Sequence, residues 1–232
     1  MSIIRTLDHG KILNFIPANE GTGTTVESEA GANITDAVVT WGTSNAVTIG
    51  NLGSDIALDS GAFSGITAGT DWALMLVLNI TTDGFLGVCT IGQSSGNNIS
   101  LTGGSFLTVD GAAGQVTFGV EPVGASGVAK RYLVTVDADG DASVYSSAMG
   151  SDLSTTPDGS EAASGMGDIT SIGSFVSFAR AGGTTIAFDL YGFQMVEFTN
   201  GLPSDIVAQA NTLMTQWEAG NKTHYPLYAD EA

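Results

Sequence analysis

Basic residues are scarce in this 232-residue chain: six Lys and Arg stand against 24 Asp and Glu, for a formal net charge of −18. No Lys or Arg occurs between Lys11 and Lys130. Acids in that span are therefore solvated, metal-bound or set against a basic partner. Like-charge repulsion disfavours nucleic acid and anionic membranes as targets. Charged residues of either sign make up only 13% of the chain, against about 25% in an ordinary soluble domain. Ser, Thr, Asn and Gly must supply the rest of the polar surface, which suits solvated strands and tight turns better than helices. Cys89 is the single cysteine, so no intrachain disulfide forms. It lies in the apolar run Phe85–Ile91, where a buried small hydrophobe is the expected role. No apolar leader with a cleavage site follows Met1, and no run approaches the length of a membrane span. The expectation is neither Sec export nor membrane insertion. Without the secretory route, the sequons at Asn33, Asn79, Asn98 and Asn221 are chance matches.

Chemistry-bearing patterns are equally sparse. The only histidines, His9 and His224, lie near opposite ends of the chain with no nucleophile motif beside either. Two His and one Cys do not make a structural zinc site. No glycine-rich phosphate motif falls between a strand and a helix. Glycoside hydrolysis needs two carboxylates across a cleft, and Glu27-Ser28-Glu29 is the nearest approach, in a Gly-flanked region without clustered tryptophans.

What is present is β-patterned. Apolar runs recur at short intervals between turn residues: Ile12–Ile16, Ala37–Trp41, Ala46–Ile49, Trp72–Ile80, Phe85–Ile91 and Thr184–Phe198. Trp72–Ile80 is almost continuously apolar, the pattern of a central strand buried on both faces. Asp-Gly turns predict two hairpins, Ser105–Val109 with Gln115–Val120 and Tyr132–Val136 with Ala142–Tyr145. Ser146–Gly167, poor in large apolar residues, predicts a long exposed loop. One helix is expected at about 203–218, where Ile206, Val207, Ala210, Leu213, Met214 and Trp217 fall at helical spacing. Pro203 suits its first turn and Gly220 its C′ position, with a tail over 221–232. In Thr184–Phe198 apolar residues occupy both parities, so that strand needs cover on both faces. The helix or a neighbouring subunit would provide it, and Gly192 marks a bulge or a close approach. With 43% apolar residues and no charged or Pro-rich linker, a single domain over residues 1–232 is expected.

The order of four segments resembles the laminin G-like, concanavalin A-like superfamily. Asn14–Val26, with Glu20-Gly21-Thr22-Gly23-Thr24-Thr25-Val26, resembles its opening strand. Gly69–Leu78 looks like its central strand, and Arg131–Asp137 with Gly140 and Ala142–Tyr145 is similar to its late hairpin. The aromatic run ending in Asn200-Gly201-Leu202-Pro203 resembles its closing strand and short helix. The resemblance implies an all-β, two-sheet antiparallel jelly-roll sandwich with one short C-terminal helix.

Asp137, Asp139 and Asp141 alternate at a hairpin tip, and hard oxygen ligands suit Ca²⁺. The EF-hand glycine position and closing Glu are absent, so a solvated acidic turn is the competing reading. Trp41 is the one tryptophan expected to be exposed as a ligand or partner contact, whereas Trp72 and Trp217 read as core. No other cofactor is implied. These observations lead to the expectation of a non-enzymatic structural or adhesion protein. Its expected place is a virion surface, as a bacteriophage capsid-decoration or fibre-associated component, oligomeric and bound to other virion or assembly proteins. The alternative is a glycan-binding lectin-like module, Ca²⁺-dependent or not, reaching the exterior by a non-Sec route.

Overall fold

The computed structural model describes residues 10–16, 18, 22–23, 25–26, 38–41, 45–50, 56–57, 70–80, 87–92, 98–102, 106–111, 114–118, 128–162, 176–178 and 187–220. Glu27, Glu29, His9, His224, the first hairpin's tip at 112–113 and the tail from 221 lie outside these residues. The described strands are β1 (Gly10–Ile16), β2 (Val38–Trp41), β3 (Val47–Gly50), β4 (Ile56–Ala57), β5 (Asp71–Ile80), β6 (Gly87–Gly92) and β7 (Asn98–Thr102). There follow β8 (Phe106–Gly111), β9 (Gly114–Phe118), β10 (Lys130–Val136), β11 (Asp141–Ala148), β12 (Gly159–Ala162), β13 (Val176–Phe178) and β14 (Ala187–Phe198), then the helix α1 (Ile206–Glu218).

The strands form two antiparallel sheets. One runs β12-β11-β10-β5-β14-β3-β2 with β1 also paired to β14, and the other runs β4-β13-β6-β7-β8-β9. The fold is an all-β sandwich with one C-terminal helix. Both Asp-Gly hairpins form, as β8/β9 and β10/β11. Cys89 lies on β6, opposite Leu101 and Phe178.

β14 organises the larger sheet. Along one side it pairs with β5 from Phe188 to Phe198. On its other side β3 pairs with Ala187–Leu190, and β1 takes over from Phe193 to Phe198. The register shifts between Leu190 and Gly192, where one partner gives way to the other. A bulge there lets one long strand serve two neighbours.

Residues directly opposite in an antiparallel pair share a face. Trp72, Leu74, Leu76 and Leu78 therefore line up with Tyr132, Val134, Val136, Phe193 and Met195 on the face turned toward the second sheet. All are buried. Ala73, Met75, Val77, Leu133, Val196 and Phe198 occupy the opposite face and pack against Ile206, Val207, Ala210, Leu213, Met214 and Trp217 of α1. The nearly continuous apolar run of β5 thus reflects a strand covered by a sheet on one side and a helix on the other. For β14 the helix is the outer cover. Each large side chain buried in that seam contributes about 1.5–3 kcal/mol relative to exposure.

Gly192 is the close approach. A Cβ built there would lie 2.5 Å from Trp217 Cδ2 and 2.6 Å from its Cε3, so the indole occupies the space a side chain would need. α1 begins at Ile206 rather than Pro203, because Pro203 lies in the preceding turn and its carbonyl accepts the Ile206 N–H at 3.1 Å. At the other end Gly220 takes φ +73° and donates its N–H to Trp217 O, a C′ arrangement.

The long loop expected over Ser146–Gly167 is largely something else. Ser146–Ala148 continue β11, and Gly159–Ala162 form the edge strand β12. Between them Leu153 is buried in the α1 seam. Its N–H donates to Asn211 Oδ1 at 2.8 Å, and its carbonyl accepts from Asn211 Nδ2 at 3.2 Å. One apolar side chain and one helix amide are enough to tether a polar segment. Residues 163–167 lie outside the described residues.

Candidate functional site

Beyond the end of α1, the outer face of the larger sheet changes from apolar to polar. Register brings Thr40, Thr48, Asp189 and Asn79 into one row across β2, β3, β14 and β5. Asn79 has the parity of Met75 and Val77, so the row continues the helix-covered face one step past Trp217. Thr40 is exposed, and Thr48, Asp189 and Asn79 are half-buried.

Asp189 is the centre of the row. Its Oδ1 accepts the Thr48 hydroxyl at 2.6 Å, and its Oδ2 accepts Asn79 Nδ2 at 3.2 Å. An ionised carboxylate accepts about four hydrogen bonds, so each oxygen keeps acceptor capacity. The buried Asn79 Oδ1 has no hydrogen-bond partner among the described residues. Tyr191, the extra residue of the β14 bulge, is half-buried beside this row and packs against the helix seam. Its phenol pKa is pushed up by burial first, then by the negative charges of Asp189 and Glu218.

A second polar cluster adjoins the row. Arg131 is fully buried and donates from Nε and Nη2 to the two Glu218 oxygens at 2.6 and 2.7 Å. It also donates to Thr215 Oγ1 at 3.0 Å and reaches the exposed Asp152 at 3.5 Å. Glu218 Oε2 further accepts the Gly150 N–H, and the Glu218 carbonyl accepts Asn45 Nδ2 at 2.8 Å. This bidentate pair locks the end of α1 to β10, β3's leading turn and the Leu153 segment. Both Glu218 oxygens are committed, so it is poorly placed to act as a proton donor or acceptor in hydrolysis.

The residues singled out from sequence lie elsewhere, and apart from one another. Asp137, Asp139 and Asp141 sit at the β10/β11 tip. Asp137 Oδ1 accepts the N–H groups of Asp139 and Asp141 at 3.0 and 2.9 Å, and Gly140 takes φ +89°. Asp139 and Asp141 are exposed. Among the described residues, no three His, Cys, Asp or Glu side chains converge as a metal-binding group. Trp41 is half-buried on β2, with its indole N–H donated to Gly23 O at 3.0 Å. It pairs with Val47, which puts it on the face opposite Thr40 and Thr48. Trp72 and Trp217 are both core.

The Asp189 row left a faint signal in the sequence. Asn79 and Asp189 are polar residues within two strands that are otherwise almost wholly apolar. Their convergence depends on strand register, which composition does not show.

No protein-family model matches the chain, and no curated protein matches it. Solved structures do. The binding domain of botulinum neurotoxin serotype G is similar with a TM-score of 0.56 and 13% identity, over 88% of this chain and 50% of that one. The binding domain of botulinum neurotoxin DC, in complex with SialylT, matches at 0.55 and 12%, over 90% of this chain and 52% of its own. A Trypanosoma rangeli sialidase in complex with sialic acid matches at 0.50 and 12%, over 90% and 33%. The chain thus spans about half the length of the neurotoxin binding domains and a third of the sialidase. At this identity the likeness is one of fold, a β-rich lectin-like sandwich. Among the described residues no helix is long and apolar enough to cross a membrane.

Proposed function

We propose that this chain is a single laminin G-like domain that binds glycans without catalysis, using the Asp189 row as its contact surface. The observation that carries the reading is the row itself: a carboxylate oriented by Thr48 and Asn79, with acceptor capacity to spare and an aromatic ring beside it. Sugar hydroxyls are recognised by such oriented acceptors, and a sugar's C–H face packs on aromatic surface. The solved neighbours support the reading, since they include structures holding SialylT and sialic acid. They also include an enzyme. Hydrolysis by a pair of carboxylates is disfavoured here because Glu218, the second carboxylate acting on Tyr191, is spent on Arg131.

No finding favours the virion-surface role expected from the sequence, and the lectin-like alternative takes its place. A glycan array probed with the wild-type chain and with Asp189→Ala tests the proposal. Retention of a defined glycan set by wild type, lost in the variant at equal folded fraction, supports it. Absence of any retained glycan at high micromolar protein refutes it.

A further inference from the structure

We infer that the Asp189 row takes uncharged, hydroxyl-donating glycans and rejects anionic ones such as sialylated chains. This rests on the glycan-binding reading above. The charge inventory of the face decides the matter. Thr40, Thr48 and Asn79 are neutral, so Asp189 supplies the row's only charge, and that charge is negative. Its two oxygens already accept from Thr48 and Asn79, and what remains open on them accepts again. Asn79 Oδ1 is a buried acceptor without a partner among the described residues, so it adds no donor to the row. A ligand set against the open positions of Asp189 must bring donor hydrogens. The two hydroxyls of a vicinal diol do so, and a sugar carboxylate does not.

A cation on the same face would reverse this logic, and the described side chains offer none that is uncommitted. Arg131 is on that face, and its guanidinium is held by Glu218, Thr215 and Asp152. Register places Lys130 opposite Leu78, so it belongs to the other face from Asn79. The Glu218 carboxylate near Tyr191 is offset by the Arg131 guanidinium that holds it, so the pair adds little net charge to the face. A ligand carboxylate would therefore meet like charge at Asp189, on a half-buried surface where water screens less than in bulk. The net charge of −18 repels anionic ligands at longer range as well. The preference is opposite to that of a site built for sialic acid, although the fold is shared with a sialic-acid-bound neighbour.

The test uses matched pairs of oligosaccharides differing only in a terminal sialic acid, lactose and sialyllactose among them, measured on an array and by titration calorimetry. Wild type is expected to bind the neutral member at least about tenfold more tightly than the sialylated one. Asp189→Asn keeps the shape and removes the charge, so it should weaken neutral binding and narrow the gap to less than about threefold. If that variant folds poorly, Thr48→Val keeps the charge and removes one orienting hydroxyl. It should weaken neutral binding and leave the discrimination in place. Sialylated glycans bound as tightly as their neutral partners by wild type would overturn this inference while leaving the glycan reading intact. Absence of binding to every glycan would overturn both.

Discussion

Gly192→Ala puts one methyl group where the structure has no room for it. The new carbon would sit 2.5 Å from Trp217 Cδ2, 2.6 Å from Cε3 and 3.0 Å from Cγ. Trp217 is 1% exposed and belongs to the buried cluster that includes Met214, Leu213 and Val77, so relief requires α1 to shift. Overpacking of this kind costs about 1–3 kcal/mol. Gly192 does not have positive φ, so Ala is conformationally acceptable there. Without the clash it would gain about 0.4–1 kcal/mol by restricting the unfolded chain. The two effects differ in sign, which makes the result decisive. At about 2–4 °C per kcal/mol for a chain of this size, the thermal midpoint should fall by about 2–12 °C. Urea unfolding followed by circular dichroism gives the same quantity at constant temperature. Placing the substitution in a Trp217→Ala background should abolish or reverse its cost, a coupling of at least about 1 kcal/mol. A Gly192→Ala protein as stable as wild type, or more so, would show that the indole does not rest on the β14 bulge.

Other perturbations address the remaining features. Glu218→Gln or Arg131→Met breaks an ion pair whose side chains are 9% and 2% exposed, and each should destabilise by about 3–5 kcal/mol. The double variant Arg131→Met/Glu218→Leu should recover much of that loss in urea melts, since no unpaired charge is left buried. Tyr191 has a pKa above the ordinary value of 10.0, so folding favours its protonated form. Its contribution is fully present below that value and is lost as pH rises through the folded pKa. Urea midpoints measured from pH 8 to pH 11 should therefore decline at the alkaline end less steeply in Tyr191→Phe than in wild type. Asp137→Ala should cost about 1 kcal/mol through the two tip amides it leaves to water. Because no three His, Cys, Asp or Glu side chains converge among the described residues, EDTA should not move the wild-type melting midpoint.

Much of the architecture was readable before the structure. Apolar residues on both parities of β5 and β14 announced strands covered twice, and the spacing from Ile206 to Trp217 announced the helix that covers them. Gly192 stood out because glycine inside an apolar strand has little purpose except a bulge or close contact, and it serves both. The polar segment after β11 reads as a loop in sequence because Leu153 is one apolar residue without a periodic neighbour. Its docking depends on Asn211, 58 residues away. Short strands such as β4 and β13 carry too few residues to show an alternation. Arg131 gave no hint of burial, since its partner Glu218 is 87 residues distant in sequence. The Asp189 row was hidden for a similar reason: Thr48, Asn79 and Asp189 meet only through register. Of the residues conspicuous in sequence, Asp137 accepts the hairpin-tip amides and Trp41 makes an edge-strand hydrogen bond, while Asp139 and Asp141 are exposed.

In the proposed glycan-binding role, Asp189, Asn79, Thr48 and Tyr191 form the ligand surface. Backbone amide shifts followed by NMR, as a neutral oligosaccharide selected from the array is titrated in, test it most directly. The largest perturbations are expected to cluster at residues 48, 79 and 189–191, with saturable dose dependence. Perturbations concentrated instead at the Asp137–Asp141 tip, around Trp41, or on the second sheet would contradict it.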